Sequence, residues 1–170
     1  FAKSMANGYA MAAVIGKERV MNAAQLTFIS STNWTERIGP TAAIATINKY
    51  IENKVEDHII KVGEQVKNIW IESATKHGLS INVSGLPTLG SFSFNNNNNQ
   101  AIMTYFTIAM LERGILGYKQ FKPSYAHNEK DIKEYSIAVD EIFKIISEKD
   151  IDCLLDSSIA HSSFSRLTSE

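Results

Sequence analysis

The sequence predicts an α/β protein, because helical and strand-like patterns of apolar residues follow one another along the chain. From residue 40 to residue 77 an apolar side chain recurs at every third or fourth position, which is typical of an amphipathic helix. Apolar and polar residues then alternate strictly at 79–83 and 90–94, which indicates two strands. Helical spacing returns at 102–113 and again after Asn128. These patterns favour a mixed fold over an all-helical one.

The part of the chain before the long helix has shorter signals. Residues 8–16 form an apolar run between two glycines, which predicts a buried strand. Residues 17–24 are expected to form a short helix, and residues 27–34, rich in hydroxyl side chains, an extended segment or loop. Tyr9 is interpreted as a packed ring.

The long helix has clear start and stop signals. Pro40 suits its first turn, and Gly78 can supply a left-handed cap at its end, with a bend possible near Asn53. Its apolar stripe consists of Ile44, Ile47, Ile51, Val55, Ile59, Val62, Val66 and Ile69.

The second half of the chain reads as a compact subdomain. A helix at 102–113 ends at Gly114, a short strand is expected at 115–118, and Asn128 with Asp131 forms a plausible N-cap pair for the last long helix. Residues 79–147 therefore predict a strand–strand–helix–strand–helix arrangement. The serine-rich tail is assigned no chemistry.

Composition excludes several classes of function. The net charge of −1 over 170 residues gives no electrostatic reason to expect a nucleic acid or an anionic membrane as partner. No stretch is apolar and long enough to cross a bilayer. A lone cysteine, Cys153, cannot form an internal disulfide, so we expect a cytoplasmic protein. The four histidines lack metal-ligand spacing, so no metal site is expected.

Lys3 is the residue that attracts a chemical interpretation. It precedes a turn of small residues, and Ala6 and Gly8 leave room for a flat ring beside it. A lone lysine in a loop is nevertheless more often a surface residue. The chain opens on Phe1 without a methionine, so we expect that a preceding portion is missing.

A family resemblance changes the interpretation of Lys3. Residues 1–16 are similar to the lysine segment of class III, fold-type-I enzymes that use pyridoxal phosphate (PLP), although two glycines and a proline of the usual pattern are absent. Residues 27–43 resemble the phosphate-contact loop of relatives of glutamate-1-semialdehyde 2,1-aminomutase. Residues 110–116 and 123–132 resemble a helix and a loop of the small domain.

The resemblance implies a site shared with other parts of the protein. Lys3 would hold PLP as a Schiff base, and Thr35, five residues before Pro40, would bind the cofactor phosphate in the neighbouring subunit of a homodimer. Ser31 and Thr32 compete with Thr35 for that contact. The carboxylate that pairs with the pyridinium nitrogen would lie before Phe1. His127 precedes the Asn128 cap and could reach a site, but we interpret it as a local structural residue.

The resemblance also implies a domain plan and a function. The expected parts are the end of the PLP-binding large domain at 1–50, a linking helix at 51–78, a small α/β domain at 79–156 and a tail at 157–170. The implied activity is transamination of small amine and carbonyl substrates. Two alternatives stay open: an intramolecular amino shift, as in the aminomutase, and a non-catalytic interaction module.

Overall fold

The fold is described from a computed structural model, which covers residues 1–29 and 35–161. The chain forms two compact units, of which the first is Phe1–Glu56 and the second begins at Asp57. Among the described residues, no helix combines the length and the apolar content needed to cross a lipid bilayer.

The first unit is built from short turns around one helix. A 3₁₀ turn at Lys3–Ala6 is followed by helix α1 (Glu18–Met21), a second 3₁₀ turn (Asn22–Leu26) and helix α2 (Ile38–Glu52). The short helix predicted for residues 17–24 is therefore confirmed.

The buried strand predicted for residues 8–16 is wrong. Val14 and Ile15 are 84% and 71% exposed, and the segment has no ladder of strand pairing with the described residues. Its backbone pairing is one reciprocal contact, in which Ala13 N donates to Phe1 O (2.8 Å) and Phe1 N donates to Ala13 O (2.6 Å). An apolar run becomes a buried strand only when neighbouring strands take up its backbone groups.

The long helix predicted from residue 40 to residue 77 is interrupted rather than bent. Helix α2 ends at Glu52, and helix α3 (Val55–Lys76) starts anew. Lys54 between them has a φ of +47°, and the Asn53 side chain donates to the Lys49 carbonyl oxygen at 2.9 Å. A left-handed residue cannot continue an α-helix, so the pattern of apolar spacing runs through a break that it does not reveal.

Helix α3 ends at Lys76, and the left-handed cap predicted at Gly78 is present. This glycine has a φ of +66°, and Leu79 N donates to the Ala74 carbonyl oxygen at 2.9 Å. The left-handed glycine thus satisfies a carbonyl group that the end of the helix would otherwise leave without a partner.

The second unit contains an antiparallel sheet in the order β1–β2–β3. Strand β1 (Ile81–Ser84) pairs with β2 (Gly90–Phe94), with Ile81 opposite Phe94 and Ser84 opposite Ser91, which confirms the two predicted strands. Strand β3 (Gln120–Phe121) pairs with the start of β2.

The strand predicted at residues 115–118 is wrong, and β3 lies further along the chain. Gly117 N donates to the Ile115 carbonyl oxygen at 2.8 Å, which makes a tight turn instead of an extended strand. This turn lies against Met110: a Cβ atom on Gly117 would be 2.8 Å from the Met110 Cγ atom. Packing against the side chain of the preceding helix therefore overrides the apolar sequence pattern.

Three helices complete the second unit: α4 (Asn99–Glu112), α5 (Glu129–Glu148) and α6 (Ile151–Leu154). The N-cap pair predicted for α5 is confirmed. Asn128 Oδ1 accepts from Lys130 N at 2.9 Å, and Asp131 Oδ2 accepts from Asn128 N at 2.9 Å. The predicted strand–strand–helix–strand–helix order is also present.

The core of the second unit lies where α3, α4 and α5 cover the sheet. Phe92 is its centre, with ring centroids 4.8 Å from Trp70 and 5.2 Å from Phe106. Trp70 Nε1 donates to the Tyr135 hydroxyl oxygen at 2.8 Å, so the buried indole is satisfied. Burial raises the pKa of Tyr135 far above its usual range.

An ion cluster joins α5 to the end of α3. Asp140 lies 2.7 Å from Lys76 Nζ and 2.9 Å from His77 Nε2. The hydrogen bond from Lys76, followed by the weaker contribution of His77, lowers the pKa of Asp140 below its ordinary value of 3.8. A carboxylate with a lowered pKa stabilises the folded state above its unfolded pKa, and this stability is lost as the pH falls through the folded pKa.

We therefore expect Asp140→Asn to lower the free energy of unfolding at pH 7 by about 1 kcal/mol at most, since the group is partly solvated. The difference from the wild-type protein should shrink as the pH falls below about 4, because the unfolded chain then binds a proton that the folded carboxylate, with its lowered pKa, binds only at lower pH. Melting temperatures measured from pH 3 to pH 7 test this. Asp156→Asn, at an exposed position outside the helices, is the control. A difference that is the same at every pH would show that the charge of Asp140 does not contribute.

Candidate functional site

Lys3 opens a tight turn in an unusual backbone conformation. Its φ is +49°, and Asn7 and Gly8 have φ values of +47° and +101°. Such values are uncommon for residues other than glycine and cost on the order of 1 kcal/mol, so they persist where the surrounding structure imposes them. The turn is held by backbone hydrogen bonds from Met5 N to Ala2 O and from Asn7 N to Ser4 O. It therefore presents the exposed Lys3 side chain from a constrained backbone.

The turn is fixed to the rest of the first unit at its buried side. Ala6 is completely buried, and the 3₁₀ turn packs against α2. The reciprocal contact between Phe1 and Ala13 closes the loop that contains the lysine. The lysine segment is therefore a closed loop seated on α2.

The first turn of α2 meets this loop closely. A Cβ atom on Gly39 would lie only 2.6 Å from the Ala10 carbonyl oxygen. Only glycine allows the helix to approach the backbone so closely. The segment that leaves the lysine turn and the start of α2 are thus in direct contact.

Thr35 lies three residues before the first residue of this helix and is exposed. The next residue, Glu36, accepts hydrogen bonds at its carboxylate from Ile38 N and from Gly39 N, the latter at 3.0 Å. The start of α2 therefore contacts the exit of the Lys3 loop through Gly39 and is bound by Glu36, the residue that follows Thr35. The competing residues Ser31 and Thr32 lie outside the described residues, so the choice among the three stays a prediction.

Comparison with known sequences gives a consistent set of relatives. The chain is 36% identical over 99 residues to the 3-aminobutyryl-CoA aminotransferase of Cloacimonas acidaminovorans (strain Evry), a match that covers 55% of the chain and 23% of that protein. It is 25% identical over 146 residues to the aminopentol aminotransferase of Sphingopyxis macrogoltabida, with 85% and 35% covered. No family model matches the chain.

Solved structures agree with these sequence relatives. The PLP internal aldimine form of the FumI protein of Sphingopyxis sp. MTA144 superposes with a TM-score of 0.77 at 24% identity, over 85% of this chain and 36% of that one. An omega-transaminase from Sphaerobacter thermophilus gives a TM-score of 0.63 at 14% identity, over 69% of this chain and 30% of that one. A transaminase with PLP bound gives a TM-score of 0.60 at 19% identity, over 72% and 30%.

The chain is similar to part of a PLP-dependent aminotransferase. The predicted family resemblance and the α/β fold class are therefore confirmed. This aminotransferase-like chain spans between 23% and 35% of the lengths of the curated relatives given above. The narrower resemblance to the semialdehyde aminomutase stays a prediction, because the matched relatives are aminotransferases.

Two further candidates in the aminotransferase-like chain have clear structural environments. Tyr9, interpreted as a packed ring, is instead 57% exposed. His127 has the local role that was predicted: its Nδ1 accepts from Ser124 N at 2.9 Å, and its carbonyl oxygen lies 3.0 Å from His58 Nε2. These bonds use His127 to shape the loop before α5.

The described residues contain no group of three or more histidine, cysteine, aspartate or glutamate side chains that could hold a metal ion.

The residue that the sequence interpretation missed is Glu36. Its position between a hydroxyl residue and the Gly-Pro start of a helix was the available signal, since acidic side chains are favoured near helix N-termini. The resemblance directed attention to Thr35 instead.

Proposed function

We propose that the protein catalyses PLP-dependent transamination, in which an amino group passes between an amine or amino acid and a carbonyl compound. The observation that carries this proposal is the sequence similarity to aminotransferases, which reaches 36% identity over 99 residues. The geometry of the first unit supports it, because the lysine of the proposed site lies on a constrained turn with its side chain exposed.

The residues around Lys3 fit a flat cofactor. Small residues flank the lysine turn, and a Cβ atom on Gly8 would meet no atom within 4 Å, so the space beside the turn is open. Lys3 Nζ supplies an amine for covalent attachment, and the Thr35 hydroxyl supplies a donor for a phosphate oxygen. When bound, PLP supplies an electron sink for charge that develops on the substrate carbon.

The chain's own residues would have distinct roles in the reaction. Lys3 Nζ would hold the cofactor covalently. The same amine, when free, would serve as the acid–base group that moves a proton at the substrate carbon. Thr35 of the neighbouring subunit would orient the phosphate end and so fix the ring relative to Lys3.

A homodimer with shared sites is part of this proposal. Helix α2 exposes Ile44 and Ile51 to 63% and 66%, together with Ile47. A contiguous exposed apolar face on a helix suits burial against another protein surface. A cytoplasmic location stays a prediction.

Reduction with borohydride tests the role of Lys3 directly. The full-length protein loaded with PLP is expected to absorb in the near-visible region and to lose that band on reduction. Peptide mass spectrometry should then place the cofactor on Lys3, with Lys17 unmodified as the internal control. A protein that takes up no PLP would instead support the non-catalytic interaction module.

Transamination and an intramolecular amino shift are separated by their substrates. The protein is supplied with an amine donor and a separate keto acceptor, and the amino product of the acceptor is measured. Transfer between molecules supports the transaminase. A PLP-loaded protein that converts a single amino carbonyl compound without any transfer supports the aminomutase alternative.

A further inference from the structure

Glu36 has a structural role at the start of α2. Its two carboxylate oxygens accept from the backbone N–H groups of Ile38 and Gly39. The first N–H groups of a helix have no partner within the helix, and the N-cap residue, Arg37, makes no side-chain cap hydrogen bond. Glu36 therefore satisfies two of these groups from just outside the helix.

The two hydrogen bonds that Glu36 accepts, called the clamp below, hold the first turn of α2. The opposite side of this turn packs against the lysine loop. Gly39 is buried, and its backbone lies against the Ala10 carbonyl oxygen, as the 2.6 Å separation of a Cβ atom built on it shows. The residue bound by Glu36 is thus fixed by the lysine loop. The Glu36 side chain therefore links the backbone of residue 36 to Gly39.

Thr35 directly precedes Glu36 in the chain. It is exposed, and none of the described residues makes a hydrogen bond to its side chain. Its location relative to α2 is therefore set by the adjoining backbone. The backbone after Thr35 is held to the helix by the hydrogen bond from Thr41 N to the Arg37 carbonyl oxygen (3.1 Å) and, at Glu36 itself, by the clamp on Ile38 and Gly39.

We propose that Glu36 is a positioning residue: its carboxylate fixes the turn that presents the Thr35 hydroxyl to the phosphate of PLP. This inference rests on the proposed function, in which Thr35 makes the phosphate contact. It assigns no direct contact with the cofactor to Glu36. Removing the carboxylate is expected to weaken PLP binding through Thr35 and to leave Lys3 in place.

The affinity for PLP, measured by fluorescence titration of the full-length protein, tests this role. We expect Glu36→Ala to weaken binding by about tenfold, the order expected when a hydrogen bond to a charged group is lost. Glu36→Gln keeps one side-chain oxygen acceptor and should give an intermediate value. Glu52→Ala, at the exposed last residue of the same helix, is the matched control and should bind PLP as the wild-type protein does.

A double-mutant cycle with Thr35→Val separates positioning from general destabilisation. If Glu36 acts through Thr35, Glu36→Ala should have almost no effect on PLP affinity once Thr35 is valine. Its effect on the melting temperature of the cofactor-free protein should be the same in both backgrounds, because the capping hydrogen bonds are lost in each. A merely structural role would weaken PLP binding equally in both.

These variants distinguish an error in the role of Thr35 from an error in the role of Glu36. If Thr35→Val alone leaves PLP affinity unchanged, the phosphate contact assigned to Thr35 is wrong. If Thr35→Val weakens binding and Glu36→Ala does not, the positioning role of Glu36 is wrong. Tighter binding in Glu36→Ala would also overturn it, because the carboxylate would then act by repelling the phosphate.

Discussion

Replacing Lys3 with alanine is expected to lower the rate of transamination by about a thousandfold or more, the order of loss typical when a general acid–base group is removed. Alanine has no amine to bind the cofactor covalently or to move a proton at the substrate carbon. Initial rates with an amine donor and a keto acceptor measure the effect. The borohydride-reducible absorbance should disappear in the same variant.

The structure allows this result to be separated from unfolding. The Lys3 side chain is exposed and makes no hydrogen bond or ion pair to the described residues, so its loss should leave the melting temperature nearly unchanged. Lys17→Ala, at another exposed lysine, controls for the loss of a positive charge. Normal turnover in Lys3→Ala, or restoration of turnover by Lys3→Arg, would refute the assignment.

The sequence predicted the second unit well because its apolar patterns are buried within that unit. The two alternating strands pair with each other, and the stripe on α5 faces the core at Tyr135, Val139 and Phe143. Local capping chemistry at Asn128 fixed a helix boundary in the same way. An apolar pattern predicts secondary structure well when the residues that pack against it lie in the same unit of the chain.

Two predictions were wrong in the first half of the chain, where apolar spacing did not correspond to the predicted element. Residues 8–16 are apolar, but among the described residues their strand-like pairing is limited to the reciprocal hydrogen bonds between Ala13 and Phe1, so no strand forms. The stripe from Ile44 to Ile69 continues across the break at Lys54, because a left-handed residue ends a helix without interrupting the apolar spacing of the sequence. Periodicity alone does not report either effect.

The candidate site also contains features that the sequence suggested and features that only the structure describes. Lys3 and Thr35 were identified through a motif resemblance, and that resemblance could not show how the two are held. The contact between Gly39 and Ala10 depends on atoms 29 positions apart in the sequence, and the clamp by Glu36 depends on a side-chain conformation. A motif resemblance can therefore propose residues for the chemistry, but it does not describe the contacts that hold them.

Gly63→Ala is expected to give the largest loss of stability in the second unit, although alanine normally favours a helix over glycine by about 1 kcal/mol. Gly63 lies within α3, opposite the 3₁₀ turn Pro87–Leu89 that joins β1 to β2. A Cβ atom at this position would lie 1.9 Å from the Pro87 carbonyl oxygen and 2.5 Å from its carbonyl carbon. Both are backbone atoms, so no side-chain rotation relieves the overlap.

The turn also cannot easily move away. Lys67, one helical turn along α3, donates to the Gly85 carbonyl oxygen at 2.8 Å and so ties the same turn to the helix. Displacing it would pull β2, and with it Phe92, out of contact with Trp70. We expect a loss of roughly 3 kcal/mol in the free energy of unfolding, which corresponds to a melting temperature lower by about 10 °C.

Thermal and urea unfolding of the full-length protein measure this effect. Glu64→Ala, the neighbouring exposed position on the same helix, is the control and should change the free energy of unfolding by no more than about 0.5 kcal/mol. If Gly63→Ala is as stable as the wild-type protein, or more stable, helix propensity outweighs the steric cost, and α3 does not approach the Pro87 turn as closely as described. A large loss confirms that the glycine is required for contact between two backbones, since its place in a helix interior otherwise favours alanine.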